Sequence, residues 1–85
     1  MYYKDIECIV TKCDYQYWYA SGCHYKAYVT VYNEEYNLEK SFTLNGMDAK
    51  ECESLNNGDI ITCELYTWVL DSTSEVIKRE INCLK

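Results

Sequence analysis

Cys23-His24 is the one place where a nucleophile and a base adjoin, because His24 is the only histidine in the chain. A thiol beside an imidazole suits covalent catalysis only if the two side chains share a hydrogen bond. Neighbours along a strand point to opposite faces, so the pair loses that contact if a strand begins there and keeps it only in a loop. Glu34-Glu35 and the acids further along offer carboxylates, but adjacent surface acids are usually solvated charge, and no pattern marks one of them for a raised pKa. No glycine-rich loop exists to cradle a phosphate. These residues point to no catalytic set and no cofactor, and the expectation is a protein that is not an enzyme.

Six cysteines, Cys8, Cys13, Cys23, Cys52, Cys63 and Cys83, would form a disulfide framework in a secreted chain of this size. The first twenty residues carry Lys4, Asp5, Glu7, Lys12 and Asp14 where a signal peptide needs an unbroken apolar stretch, so reduced thiols are expected instead. No C-x-x-C occurs, and a zinc site would have to gather ligands from distant loops. Cysteine then acts as a small hydrophobe. Cys8, Cys63 and Cys83 fall inside apolar, strand-like runs, in keeping with burial.

The remaining chemistry is aromatic. Tyr15, Tyr17, Trp18 and Tyr19 crowd into one short segment, and Tyr28, Tyr32, Tyr66 and Trp68 fall on the outward positions of strand-like runs. Exposed Tyr and Trp suit protein contacts, offering rigid area with a polar tip. Aromatics on the outside of a sheet also pack across strands and merely shield the backbone, and both readings stand at this point.

Charge narrows the partners. The total is −6, and residues 46 to 77 hold Asp48, Glu51, Glu53, Asp59, Glu64, Asp71 and Glu75 against Lys50 alone. Such a chain lacks the basic surface that displaces counterions from phosphates, so direct nucleic-acid binding and anionic membranes are disfavoured. No apolar run is long enough to span a bilayer, and a soluble cytoplasmic protein is expected.

Positioning these groups falls to strands. The chain has no proline and three glycines, and its strongest pattern is alternation rich in β-branched and aromatic residues. Five strands are expected in one domain covering residues 1–85. The first, about Asp5 to Cys13, has Ile6, Cys8 and Val10 inward and is followed by a polar, aromatic loop, Asp14 to Gly22. The second, about His24 to Tyr32, has Tyr25, Ala27, Val29 and Val31 on one face. It leads through a hairpin connection, Asn33 to Asn37, into a third with Leu38, Phe42 and Leu44 inward. Asp48 to Leu55 changes period: Asp48 and Glu51 read as a capping box, with Ala49, Cys52 and Leu55 on one side of a short helix ended by Asn56-Asn57-Gly58. The fourth strand, about Asp59 to Leu70, has Ile61, Cys63, Leu65 and Val69 inward. The fifth, about Glu75 to Leu84, has Ile77, Ile81 and Cys83 inward. The expected core is Val29, Val31, Phe42, Leu44, Ile61, Leu65, Ile77 and Ile81. The fold class is mostly β: a small five-stranded antiparallel curled sheet or partly open barrel, SH3-like or OB-like, with one short helical turn before strand 4.

The run Leu55-Asn56-Asn57-Gly58-Asp59-Ile60-Ile61, together with Tyr28-Val29-Thr30-Val31 and Val10-Thr11-Lys12, resembles uncharacterised small bacterial five-stranded β-barrel domains that carry a V-x-K, a Y-V-T-x strand and an L-x-x-G-D-x-[IV] turn. The resemblance implies a fold and no activity. Three functions follow as expectations. The first is a non-catalytic binding module or adaptor that contacts a protein partner through its aromatic, acidic surface. A second is a phage-type inhibitor whose acidic patch occupies a basic nucleic-acid groove of a target enzyme. The third is a thiol or metal-binding protein resting on the six cysteines.

Overall fold

The computed structural model describes residues 1–82. Five antiparallel strands, β1 (Tyr2–Tyr19), β2 (Cys23–Asn33), β3 (Leu38–Asn45), β4 (Ile60–Val69) and β5 (Val76–Asn82), form one sheet in the order β3-β2-β1-β4-β5, with the short helix α1 (Gly46–Lys50) between β3 and β4. The outer strands β3 and β5 come together across the open side, where Lys40 Nζ lies 2.8 Å from Glu80 Oε1. The sheet is therefore nearly closed into a barrel. Of the two expected barrel orders this is the OB-like one, with β1 between β2 and β4 and the helix leading into β4. Cys83 and Leu84, assigned above to the last strand, lie outside the described residues.

Inside the barrel the alternation holds. Ile6, Cys8 and Val10 of β1, Ala27, Val29 and Val31 of β2, Cys63 and Leu65 of β4, and Ile81 of β5 are all buried. Phe42, Leu44 and Ile61 are half-buried and pack against them. Ala49 and Cys52 are buried and Leu55 is packed beside them, so the helical segment stoppers one end. At the other end Asn33 is buried; its side-chain amide donates to the Glu7 carbonyl (2.8 Å) and its Oδ1 accepts from the Tyr36 N–H (2.8 Å). Those two bonds fix the β2–β3 turn and set Tyr36 between Lys4 and Arg79, whose cationic heads lie 5.1 and 5.2 Å from its ring centre.

Three expectations are corrected. Asp14 to Tyr19 is not a loop: β1 runs unbroken to Tyr19 and pairs with β2 as far as Tyr19↔Cys23. The aromatic run favours extended backbone, and nothing interrupts it before the left-handed residues Ser21 (φ 57°) and Gly22 (φ 130°). The capping box does not form, because the helix begins two residues earlier with Asn45 at its N-cap and no side-chain cap bond. Asp48 lies within the first turn and Glu51 follows the last one. Ile77 is 61% exposed rather than core. A register shift between Trp68 and Val69 pairs Val76 with Val69 and Lys78 with Trp68, leaving Ile77 as the unpaired residue of a bulge. The thiols are mostly buried as expected: among the described cysteines Cys8, Cys52 and Cys63 are buried, Cys13 is half-buried and Cys23 is exposed.

Candidate functional site

Strand β1 is 18 residues long, but β4 pairs with it only from Tyr2 to Ile9 and β3 pairs with β2 only as far back as Lys26. What remains, Gln16 to Tyr25, is a two-stranded arm that leaves the barrel. It gives the molecule extents of 55 × 25 × 14 Å and a radius of gyration of 15.4 Å, against about 12 Å for a compact chain of this length. The arm faces are set by a register shift between Val10 and Lys12. One residue is inserted there, at Thr11, so the inward series Ile6, Cys8, Val10 resumes as Cys13, Tyr15, Tyr17 and Tyr19.

Tyr15, Tyr17 and Tyr25 therefore share the concave face. Tyr15 and Tyr25 stack with centroids 6.4 Å apart, and Tyr17 tilts against Tyr25 at 5.4 Å. Lys50, at the end of α1, sits over the Tyr25 ring at 5.4 Å. With Glu53 these residues line a cleft of about 380 Å³. Burial, reinforced by the Glu53 carboxylate, raises the Tyr15 hydroxyl pKa. The Tyr17 hydroxyl is raised by its contact with Cys23 Sγ at 3.7 Å.

Trp18 and Tyr28 lie on the opposite, outer face. Trp18 stacks on His24 with centroids 5.5 Å apart and 13° between planes, and Lys26 sits over Tyr28 at 5.2 Å. His24 Nε2 donates to the Ala20 carbonyl at 2.7 Å and is thereby tied to the turn. Cys23 and His24 thus point to opposite faces, and no thiol–imidazole bond joins them. On this arm Tyr17, Trp18 and Tyr19 are exposed by 55, 44 and 74%, and Tyr28, next to it on the barrel part of β2, by 38%.

The other aromatic candidates lie elsewhere. Tyr32 is half-buried and donates its hydroxyl to Asn37 Oδ1 at 2.8 Å, bracing the β2–β3 turn. Tyr66 and Trp68, also half-buried, continue from Tyr3 as a row on the outer face of β4 (5.7 and 6.2 Å between successive centroids), with Lys78 over Trp68 at 5.0 Å. Tyr3 and Trp18 stand near opposite ends of β1, about 50 Å apart at the rise of an extended strand. The aromatic residues expected to serve one contact surface are therefore divided among the two faces of β1 and β2 and the outer face of β4.

The acidic residues also divide. Asp48, Glu51 and Glu53 are exposed around the helical segment, and Asp59 Oδ2 accepts from the Asn56 N–H at 2.9 Å in the turn before β4. Asp71 and Glu75 lie at the other end of β4, roughly 30 Å away, and half-buried Glu64 between them accepts from the Tyr66 hydroxyl at 3.4 Å. Among the described residues no cluster of His, Cys, Asp and Glu is placed to hold a metal ion. No helix among them is long and apolar enough to cross a membrane.

Strand parity correctly placed Tyr25 inward but gave no sign that the inward face outruns the barrel, and Lys50 was counted only as a charge. That overrun shows only in the structure, as the unequal strand lengths, 8 residues in β3 against 18 in β1. Compared with protein-family models, curated proteins and solved structures, the chain matches none.

Proposed function

We propose that this protein is a non-catalytic binding module that engages a protein partner through the aromatic arm of β1 and β2. The observation that carries this reading is the arm itself, which bears Tyr17, Trp18 and Tyr19 well exposed and lies outside the barrel core. Exposing large aromatics on a projecting element gives up burial, and contact with a partner recovers it. Rigid rings pre-stacked on one another lose little entropy on binding, which suits a recognition surface. An OB-like strand order assigns no ligand by itself. The net charge of −6 opposes oligonucleotides, which need a basic groove beside their stacking platform.

The acids act as a secondary, steering feature. An inhibitor that fills a basic groove needs its charges together, and the division of the acids between the two ends of β4 weakens that alternative. The test is capture of partners from the native cell, followed by affinity measurements on the purified complex at low and high salt. The aromatic reading expects affinity to change little with ionic strength. A steep loss with salt would transfer the binding to the acids and overturn it.

A further inference from the structure

The arm leaves one strand edge open. From Thr11 to Tyr19 no described strand pairs with β1 on the side opposite β2, since the β4 ladder ends at Ile9↔Ile60 and the last bonds on that side join Val10 to Gly58 and Asp59. An open edge presents a row of backbone donors and acceptors, and edges are usually blunted by proline, dense charge or covering loops. Here proline is absent, and the charged side chains are only Lys12 and Asp14.

We infer that this edge pairs with the same edge of a second copy of the chain, antiparallel about Tyr15, to give a continuous two-barrel sheet. Tyr15 is the midpoint of the open segment, so this register uses the whole edge and stops where β4 begins on both copies. It sets Tyr15 against Tyr15 and Cys13 against Tyr17 on the concave face. On the outer face it sets Lys12 beside Trp18 and Asp14 beside Gln16 as lateral cross-strand neighbours. No like charges face each other. Centring the pair on Cys13 instead would drive the arm of each copy into β4 of the other.

Charge distribution also favours a second copy. Residues 11–28 hold Lys12 and Lys26 against Asp14, so the arm is slightly basic in a chain of net charge −6. Antiparallel pairing brings these arms together and sends the acidic barrels to opposite ends, beyond the screening length of about 10 Å at 0.1 M salt. The faces bearing Tyr17 and Trp18 stay open, so the pairing stands independently of the partner binding proposed above.

An edge contact of this size belongs to the weak, concentration-dependent class. Sedimentation equilibrium of the full chain from about 10 μM to about 1 mM should show the mass rising from 10.1 kDa toward twice that value. Gln16 is exposed, so charge can be placed there without touching the core. Gln16→Asp sets two carboxylates together twice across the two-fold axis and should weaken the dimer roughly tenfold, while Gln16→Lys pairs with Asp14 twice and should strengthen it by a similar factor. Melting temperatures measured alongside separate these effects from folding. A mass of 10.1 kDa at every concentration, or a dimer indifferent to both substitutions, would overturn the inference. Arm-edge amides protected only by a captured foreign protein would do the same and assign the edge to that protein. None of these outcomes bears on whether Trp18 binds a partner.

Discussion

Cys8 and Cys23 occupy opposite extremes for a thiol. Cys8 is buried beside Cys63 in the barrel, and burial first, then contact with that thiol, pushes its pKa up from 9.0 to about 12. Cys23 is exposed at the start of β2. Cysteine reacts as the thiolate, so an aromatic disulfide reagent at neutral pH should modify Cys23 in the native protein and Cys8 only after denaturation, as peptide mapping would report. The same shift couples folding to pH. The folded chain holds the Cys8 proton more tightly than the unfolded chain, so this contribution is complete below pH 9 and is lost as pH rises toward 12. Denaturant titrations between about pH 8 and about pH 11 should show wild type losing more stability than Cys8→Val, a variant that keeps the volume and removes the titration. Equal losses would show that Cys8 is not the group responsible. At this scale the sequence was a good guide for Cys8, whose neighbours alternate cleanly. It misled at Ile77, because a bulge is decided by where the turn from Asp71 to Ser74 lets the partner strand restart, and alternation within one strand carries no record of that.

The elements separate into a barrel held by its core and an arm held by ring stacking. Leu65 is 1% exposed, and Leu65→Ala should cost about 2 to 5 kcal/mol, read as a shift in denaturation midpoint. The Lys40–Glu80 pair that bridges β3 and β5 is more than a third exposed, so a double-mutant cycle should give a coupling of no more than about 1 kcal/mol. Barrel closure thus rests on Leu65, Ile81 and their neighbours, with the ion pair marking the seam. Among the described residues the arm has no strand beside it from Gln16 to Tyr25 except its own partner, and its backbone amides should exchange faster than those of Val29 and Val31. Uniform protection across β2 would contradict that division. Alternation and turn chemistry made the five strands and the helical segment legible in the sequence. The arm was not, because Asp14 and Gln16 interleaved with aromatics look alike in a loop and in a strand with water on both faces. What distinguishes the two is the pairing of Tyr15, Tyr17 and Trp18 with Ala27, Tyr25 and His24, a long-range fact.

As a whole the molecule is a small acidic barrel with an arm that makes its longest dimension 55 Å. The barrel positions the arm: β1 pairs with β4 over its first half and with β2 from Ile9 onward, and Lys50 and Glu53 buttress the concave tyrosines from the helical segment. Trp68, half-buried under Lys78 and beside Tyr66, is placed to stabilise the barrel, so Trp68→Ala should lower the melting temperature more than Trp18→Ala does. Trp18 is therefore the residue that isolates recognition from folding. The decisive measurement is calorimetric titration of the captured, purified partner into wild type and into Trp18→Ala, with melts of both. Binding through the arm predicts a loss of roughly 2 kcal/mol or more in the variant at an unchanged melting temperature. Equal affinity in a folded Trp18→Ala protein would contradict it.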